Sequence, residues 1–213
     1  MKSVSLARDI GSTSEPISIV EGNHFDKYRS RNPFHVLMMK RFLSDCRELV
    51  ETVAPARILE VGCGPGDLAA QVLCTSEAYY IGTDISQREI DKAKFALPDR
   101  DFVVASAAQL PFEDSFADLV VCCEVIEHLG YPIEAIAEIE RVSSGFALVS
   151  VPWEPIWRIL NGIRGKYWSS LGNTPGHLQH FSRKKIRNLV STKFEIVAER
   201  HPFPWTMLLL RKT

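Results

Sequence analysis

Two carboxylates and an imidazole lie within five consecutive residues, in the run Glu124-Val-Ile-Glu127-His128. Residues three and four apart on a helical turn share one face, so these side chains can converge. Together they would form a candidate site for a divalent metal ion. Two simpler interpretations stay open: Glu124 touches a ligand through its backbone alone, or His128 acts alone as a general base or stabilises local structure.

A second chemical signal is the glycine-rich segment Glu60-Val-Gly62-Cys63-Gly64-Pro-Gly66. Glycine permits the sharp turn from a strand into a helix and removes the Cβ that would block a ligand from the backbone. The dinucleotide pattern GxGxxG would need a third glycine at position 67, where this chain has Asp67. A nicotinamide oxidoreductase is therefore disfavoured. Glu60, two residues before the first glycine, favours a ligand that carries an ammonium group.

Asp84 supplies a further carboxylate, in Tyr80-Ile-Gly-Thr-Asp84-Ile85-Ser. An acidic residue at the end of the second strand, about 20 residues after the glycines, can accept hydrogen bonds from both hydroxyls of a ribose. The alternative is a structural role as the N-cap of the helix that begins near Ser86.

The elements that must position these residues alternate between strands and helices after Pro55. Apolar positions predict an amphipathic helix over Val36–Val53. Such repeated βα units predict a parallel sheet covered by helices on both faces, and ligands bind beyond the carboxyl ends of its strands. The predicted strands are Arg57–Val61, Tyr79–Thr83, Phe102–Ala105, Ala117–Cys123, Phe146–Val151, Phe194–Arg200 and Trp205–Leu210; the predicted helices are Asp67–Cys74, 86–96, Ile133–Val142 and 182–191.

From about residue 35 onward the chain resembles the class I S-adenosylmethionine-dependent methyltransferases of the type 11 group. Four blocks carry the resemblance: Ile58–Gly66, Gly82–Ser86, 106–112 with 116–118, and 123–129. The resemblance implies a Rossmann-like α/β fold with seven strands, mostly parallel, in the order 3-2-1-4-5-7-6 with the last strand antiparallel. It also implies a structural role for Asp118, where the fourth strand opens.

The same resemblance implies the cofactor S-adenosylmethionine, with S-adenosylhomocysteine as product. Ile85 is expected to pack on the adenine. Relatives have Asp-Ala after the third strand, whereas this chain has Ser106-Ala107, so the carboxylate contact to the adenine amino group is lost and the Ala107 backbone remains. The segment around Tyr28 is expected to fold over the cofactor. The residues expected at the cofactor are Glu60, Gly62, Cys63, Gly64, Gly66, Asp84, Ile85, Ser106, Ala107, Glu124 and Tyr28.

The string E-x-x-E-H is also similar to that of the small-RNA 2′-O-methyltransferases and the ubiquinone-pathway O-methyltransferases, which hold a magnesium-like ion against the acceptor oxygens. That likeness implies Mg²⁺ at Glu124, Glu127 and His128, with His177 from a later loop as a further ligand. The ion would lower the pKa of an acceptor hydroxyl. Without a metal, His128 and Glu127 remain the catalytic candidates.

Residues 152–181 form an insertion rich in glycine, proline and aromatic residues, which we interpret as a lid and acceptor wall. A peripheral packing cluster is the alternative. The basic residues near it are expected either to recognise an anionic acceptor or to form a solvated helix face; they are Arg158, Arg164, Lys166, Arg183, Lys184, Lys185 and Arg187. The predicted organisation is a partly flexible arm over 1–35 and one methyltransferase domain over 36–213.

The leading hypothesis is in-line methyl transfer to a hydroxyl oxygen of a small molecule. RNA 2′-O-methylation is an alternative, although a net charge of −1 provides no extended basic surface. A non-catalytic regulatory protein that binds S-adenosylmethionine is another. No DNA partner or membrane insertion is expected, and the chain is expected to be a cytoplasmic monomer or homodimer. The five cysteines show no CxxC spacing and are expected to be free thiols.

Overall fold

A computed structural model describes residues 32–75, 77–154 and 178–213 of the chain. Seven strands form one sheet in the order β3-β2-β1-β4-β5-β7-β6. All neighbouring strands pair in parallel except β7, which is antiparallel to both β5 and β6. The strands are β1 (Arg57–Val61), β2 (Tyr79–Asp84), β3 (Asp101–Val104), β4 (Ala117–Cys123), β5 (Ser143–Pro152), β6 (Phe194–Arg200) and β7 (Trp205–Lys212). The predicted sheet order and strand directions are confirmed.

Five α-helices lie among the described residues: α1 (Pro33–Val53), α2 (Asp67–Gln71), α3 (Gln87–Ala96), α4 (Pro132–Val142) and α5 (Arg183–Val190). Helix α1 begins before the predicted Val36, because the Asn32 side chain accepts from the first amides and a proline occupies the first turn. Helix α2 ends earlier than predicted and gives way to a 3₁₀ turn, Leu73–Thr75.

Each face of the sheet has its own apolar core. Helices α1, α2 and α3 cover one face, where Ile58, Leu119 and Val121 point. Helices α4 and α5 cover the other face, over Leu59 and Val120. Adjacent residues of β1 and β4 therefore serve opposite cores, as the two-residue period of a strand requires. Both central strands are buried on both sides.

The carboxyl ends of β1, β2 and β4 meet at one edge of the sheet. Strand β1 lies between β2 and β4, so the order of strands reverses direction there, which is where ligands bind in open α/β sheets. At the opposite edge, Asp118 Oδ2 accepts from the amides of Ala56 (3.0 Å) and Arg57 (2.8 Å). Asp118 thus joins the start of β4 to the start of β1, which is a structural role.

All five cysteines are free thiols, as predicted. None of the helices in the described ranges combines the length and apolar character that a membrane crossing requires.

Candidate functional site

The turn after β1 leaves the strand through three glycines with left-handed backbone angles. The φ values are +75° at Gly62, +53° at Gly64 and +86° at Gly66. A Cβ built on Gly62 would lie 2.2 Å from Cγ2 of Val125, in the segment that follows β4. Glycine at position 62 is therefore required both by the backbone angle and by the close approach of a neighbouring segment.

Asp84, the last residue of β2, connects this turn to the next one. Its Oδ2 accepts from the Gly64 amide at 2.9 Å, and its Oδ1 accepts from the Ser86 amide at 2.9 Å. The N-cap of α3 is Ser86, whose hydroxyl accepts from the Glu89 amide at 3.4 Å. The alternative role of Asp84 as the N-cap is therefore wrong. Its carboxylate lies between the two loops that begin at the carboxyl ends of β1 and β2.

The Thr83 carbonyl holds the entry to the glycine turn. It accepts from both the Gly62 amide (2.7 Å) and the Cys63 amide (2.8 Å). The Thr83 hydroxyl in turn donates to the Glu60 carbonyl at 3.1 Å. Two adjacent amides directed at one carbonyl fix the course of the chain at the point where it leaves the sheet.

The Glu60 carboxyl lies beneath the turn, buried, and accepts from the Tyr80 hydroxyl at 2.5 Å. Burial raises the pKa of Glu60 to about 8, and the negative charges of Asp84 and Asp67 add to this, while the Tyr80 hydrogen bond acts in the opposite direction. At neutral pH the protonated form of Glu60 therefore predominates in the ligand-free protein. The sequence indicated an acid here but not its tyrosine partner.

An apolar side chain lies open to solvent beside these loops. Ile85, directly after Asp84, is 45% exposed. The neighbouring loop after β3 is joined to β2 by the Ala105 amide, which donates to the Asp84 carbonyl at 3.0 Å. Within that loop Ser106 Oγ accepts from the Ala108 amide at 3.3 Å, and Ala107 is buried. Ile85, Ser106 and Ala107 thus all lie next to the carboxyl ends of β2 and β3.

Glu124 follows β4 and has a left-handed backbone, with φ +63°. Its Oε2 accepts from the indole Nε1–H of Trp205 at 2.6 Å, and its Oε1 accepts from the Ser150 hydroxyl at 3.4 Å. The Glu124 amide donates to the Ser150 carbonyl at 3.1 Å. Glu124 is thus bound to β5 and β7, and it precedes the helical turn instead of belonging to it.

The turn itself is a single 3₁₀ turn, Ile126–His128, in which Glu127 is buried and His128 is partly exposed. No group of three His, Cys, Asp or Glu side chains in the part of the chain that the structure describes is arranged to hold a metal ion. The predicted convergence of Glu124, Glu127 and His128 is therefore wrong, because the left-handed residue 124 directs its carboxylate to Trp205. The predicted fourth ligand, His177, lies outside the described residues, as does Tyr28.

Backbone hydrogen bonds join the segment before α5 to the ends of β4 and β5. The amides of Leu178 (3.0 Å) and Gln179 (2.9 Å) donate to the Glu127 carbonyl, and the Glu154 amide donates to the Phe181 carbonyl at 3.0 Å. His180 Nδ1 lies 3.6 Å from Glu154 Oε1. The segment 178–181 therefore joins the 3₁₀ turn after β4 to the end of β5. Of the predicted aromatic insertion, residues 155–177 lie outside the described ranges.

Comparison with known proteins finds similarity to methyltransferases over part of the chain. A family model described as a methyltransferase domain matches residues 59–147. An uncharacterised methyltransferase of Schizosaccharomyces pombe is 31% identical over 148 residues, which is 65% of this chain and 57% of that protein. A probable S-adenosylmethionine-dependent methyltransferase of Mycobacterium tuberculosis is 33% identical over 97 residues, 45% of this chain and 35% of that protein. Residues 59–147 of this chain therefore match a methyltransferase domain, and both of these relatives are named as methyltransferases.

The fold of this chain is similar to that of the magnesium protoporphyrin IX methyltransferase of Synechocystis PCC 6803 with bound S-adenosylhomocysteine. The TM-score is 0.64 at 17% identity, over 88% of this chain and 94% of that one. An O-methyltransferase of Aspergillus nomiae is 28% identical over 109 residues, 48% of each protein. The chain spans about a third to just over half of the length of the curated relatives that it matches first.

Several residues of the candidate site gave no sequence signal. Trp205 is separated from Glu124 by 81 positions, and nothing in either segment indicates that they meet. Val125 contacts Gly62 only because β1 and β4 are neighbours in the sheet. Tyr80 was missed as well, although its alternation with Asp84 in β2 places it on a buried face and could have indicated it.

Proposed function

We propose that this protein transfers the methyl group of S-adenosylmethionine to a hydroxyl oxygen of a small molecule by in-line displacement. One observation carries the proposal: at the carboxyl edge of the sheet, the glycine turn after β1 is hydrogen bonded to Asp84 at Gly64, and both Gly62 and Gly64 are partly exposed. A turn of this kind, at the point where strand order reverses, is suited to a nucleoside ligand.

The described side chains fit the parts of S-adenosylmethionine one by one. Each Asp84 oxygen accepts one amide hydrogen bond and retains a lone pair, so the carboxylate can still accept from both ribose hydroxyls. The exposed Ile85 would pack on the face of the adenine ring. The loop of Ser106 and Ala107 would contact the edge of that ring. The methionine portion would then extend toward the glycine turn and the Glu124 backbone. Cys63, Gly64 and Gly66 contribute backbone to the same surface, and Tyr28 remains a proposed contact.

Methyl transfer places few covalent demands on the protein. The acceptor oxygen forms a bond to the methyl carbon while the carbon–sulfur bond breaks, and the sulfonium becomes the neutral thioether of S-adenosylhomocysteine. We propose that His128 receives the proton that the acceptor hydroxyl loses. Glu127, buried directly before it, would hold the turn through its carbonyl, which accepts from the amides of Leu178 and Gln179. Alignment of oxygen, carbon and sulfur supplies most of the rate.

The proposal includes no magnesium ion. The described donor set does not fit one, since the Glu124 carboxylate accepts from Trp205 and Ser150 and no group of three ligands is present in the described ranges. Activation of the hydroxyl is therefore assigned to His128 alone. Support for an oxygen acceptor is the relative from Aspergillus nomiae, which is named an O-methyltransferase.

The test measures binding of S-adenosylhomocysteine by titration calorimetry. We expect the wild-type chain to bind it and Asp84→Asn to bind at least tenfold more weakly, because an amide cannot accept from both hydroxyls. Asp91→Asn, an exposed position on α3, is the matched control and should bind as wild type does. Absence of binding to the wild-type chain would overturn the proposal.

Turnover is measured as release of S-adenosylhomocysteine with a panel of small hydroxyl compounds. Loss of turnover in His128→Ala with unchanged cofactor affinity is the expected result. Cofactor binding without turnover on any hydroxyl compound would contradict the enzymatic part of the proposal and favour a regulatory protein.

A further inference from the structure

The guanidinium of Arg183, at the start of α5, has no anionic partner among the residues that the structure describes. The Arg183 guanidinium carbon lies 4.0 Å from the ring centroid of Trp153, so the cation is stacked on the indole. Arg183 forms no ion pair and no side-chain hydrogen bond with any residue in the described ranges, and its Nε is shielded from solvent. Removing an arginine nitrogen from water without an acceptor is costly, which is unusual unless a ligand supplies the acceptor.

The sequence around Arg183 is strongly basic. Between residues 155 and 194 the chain has eight Lys and Arg and no Asp or Glu, whereas 26 acidic residues are distributed over the rest. Arg183, Lys184 and Lys185 all fall in the first turn of α5, which holds no acidic residue. Cations are unfavourable at a helix N-terminus, where the backbone dipole is positive. Three cationic side chains at the positive end of a helix dipole are a local conflict of the kind that is typical of functional sites.

Arg187 and His201, two basic residues near Arg183, both lie close to the carboxylate of Glu199. Arg187, one turn later, is paired with Glu199 at 2.8 Å, and His201 Nε2 lies 3.3 Å from Glu199 as well. The pKa of His201 is lowered by burial and then by the positive charge of Arg183, while Glu199 acts in the opposite direction. Arg187 is therefore paired with a carboxylate, whereas Arg183 has no such ion pair among the described residues.

The position of this pair relative to the reaction site follows from the chain path. Trp153 is the first residue after β5, which pairs with β4 up to the match of Cys123 with Ser150. Glu124 is hydrogen bonded to that same Ser150. The Trp153 amide donates to the Pro204 carbonyl at 2.9 Å, directly before Trp205. Arg183 and Trp153 thus lie at the carboxyl edge of the sheet, on the acceptor side.

We propose that Arg183, stacked on Trp153, binds an oxyanion, carboxylate or phosphate, carried by the methyl acceptor. The inference rests on the proposed function and narrows its substrate class to small anionic hydroxyl compounds. A guanidinium offers parallel N–H donors that match two oxygens of either anion, and the indole beneath it fixes the plane of the donors.

The binding experiment uses inorganic phosphate and, separately, acetate as probes. Each is titrated into the full chain in the presence of S-adenosylhomocysteine, with chloride adjusted to constant ionic strength because salt screens exposed charges. We expect Arg183→Gln to weaken binding of at least one anion by about tenfold, the loss of one charge-assisted hydrogen bond. Arg187→Gln removes the same charge from the same helix at a position paired with a carboxylate and should stay within about twofold of wild type.

Three outcomes of the binding experiment overturn the inference: no anion binding to the wild-type chain, equal binding by Arg183→Gln and wild type, or equal loss in both variants. Equal loss in both variants together with tight binding of a short RNA would indicate a diffuse nucleic-acid surface instead. Cofactor affinity separates the two proposals, because Arg183→Gln should bind S-adenosylhomocysteine as wild type does. If the wild-type chain does not bind the cofactor product, the proposed function fails, whatever the anion result.

A second experiment compares anionic and neutral compounds as methyl acceptors. Hydroxyaryl carboxylic acids and hydroxyalkyl phosphates are compared with their carboxamides and neutral methyl esters as methyl acceptors. The expected result is turnover with the acid or phosphate and a KM about tenfold higher in Arg183→Gln at nearly unchanged kcat. Preference for the neutral compounds would contradict the inference.

Discussion

Replacement of Gly62 by alanine tests the glycine turn at its tightest point. Alanine at φ +75° costs about 1–2 kcal/mol, because its Cβ approaches the following carbonyl oxygen. The new Cβ would also lie 2.2 Å from Cγ2 of Val125, and overpacking of this kind costs about 1–3 kcal/mol. We therefore expect Gly62→Ala to lose about 2–5 kcal/mol of unfolding free energy, a large share of the roughly 5–15 kcal/mol of a typical domain.

Urea unfolding followed by circular dichroism measures that loss. The steric part is separated from the backbone part with Val125→Ala, which removes the colliding methyl groups. In the double variant we expect a favourable coupling of about 1–3 kcal/mol, the overpacking term, while the cost of the left-handed angle stays. The turn must shift to admit the methyl group, so affinity for S-adenosylhomocysteine should fall in Gly62→Ala and recover in part in the double variant.

Gly130→Ala is the matched control, since a Cβ there would meet no atom within 4 Å. We expect it to unfold within about 0.5 kcal/mol of wild type or to be slightly more stable, because alanine restricts the unfolded chain. Wild-type stability in Gly62→Ala, or a double variant no more stable than the sum of its single changes predicts, would refute the reasoning.

Three further predictions concern polar groups in specific hydrogen bonds. The pKa of Glu60 is raised to about 8 from 4.5, so the folded state retains a proton that the unfolded state loses. The stability of the wild-type chain relative to Glu60→Gln should therefore fall as pH rises from about 5 to 8. If the urea midpoints of the two proteins change in parallel across that range, the prediction is wrong. Trp205→Phe removes the indole donor to Glu124 and should cost about 1.5–3 kcal/mol in urea unfolding; wild-type stability would show that this hydrogen bond contributes little. Asp118→Ala should cost about 1–3 kcal/mol by leaving the amides of residues 56 and 57 without an acceptor, while calorimetric affinity for S-adenosylhomocysteine stays at the wild-type value because Asp118 lies at the opposite edge.

The individual strands and the meeting of the glycine turn with Asp84 could be predicted because they depend on local features, whereas the order of the strands came from the resemblance to a family. Glycines after β1, an acid at the end of β2 and a buried apolar strand β4 each lie within one short segment. The parallel sheet then brings the ends of those segments together without further information. The resemblance to a family supplied the position of β7 between β5 and β6, which alternation alone cannot determine.

The acceptor half could not be predicted in the same way. The sequence favoured a helical turn over residues 124–128, but Glu124 has a left-handed backbone and its carboxylate is bound to Trp205, far along the chain. That contact depends on the insertion of β7 beside β5, a tertiary effect that outweighs local spacing. The pKa of Glu60 likewise depends on burial and on Tyr80, which residue types and spacing do not report.

Strand β7 has a consequence for the order in which the protein is made. It is translated after β6 but occupies the place between β5 and β6, so β5 has an unpaired edge until residues 205–212 have left the ribosome. Open strand edges of nascent chains invite pairing with other chains. The same residues bring Trp205 to Glu124. The nascent chain therefore closes the open edge of β5 and brings Trp205 to Glu124 in one and the same step, after β6 has been made.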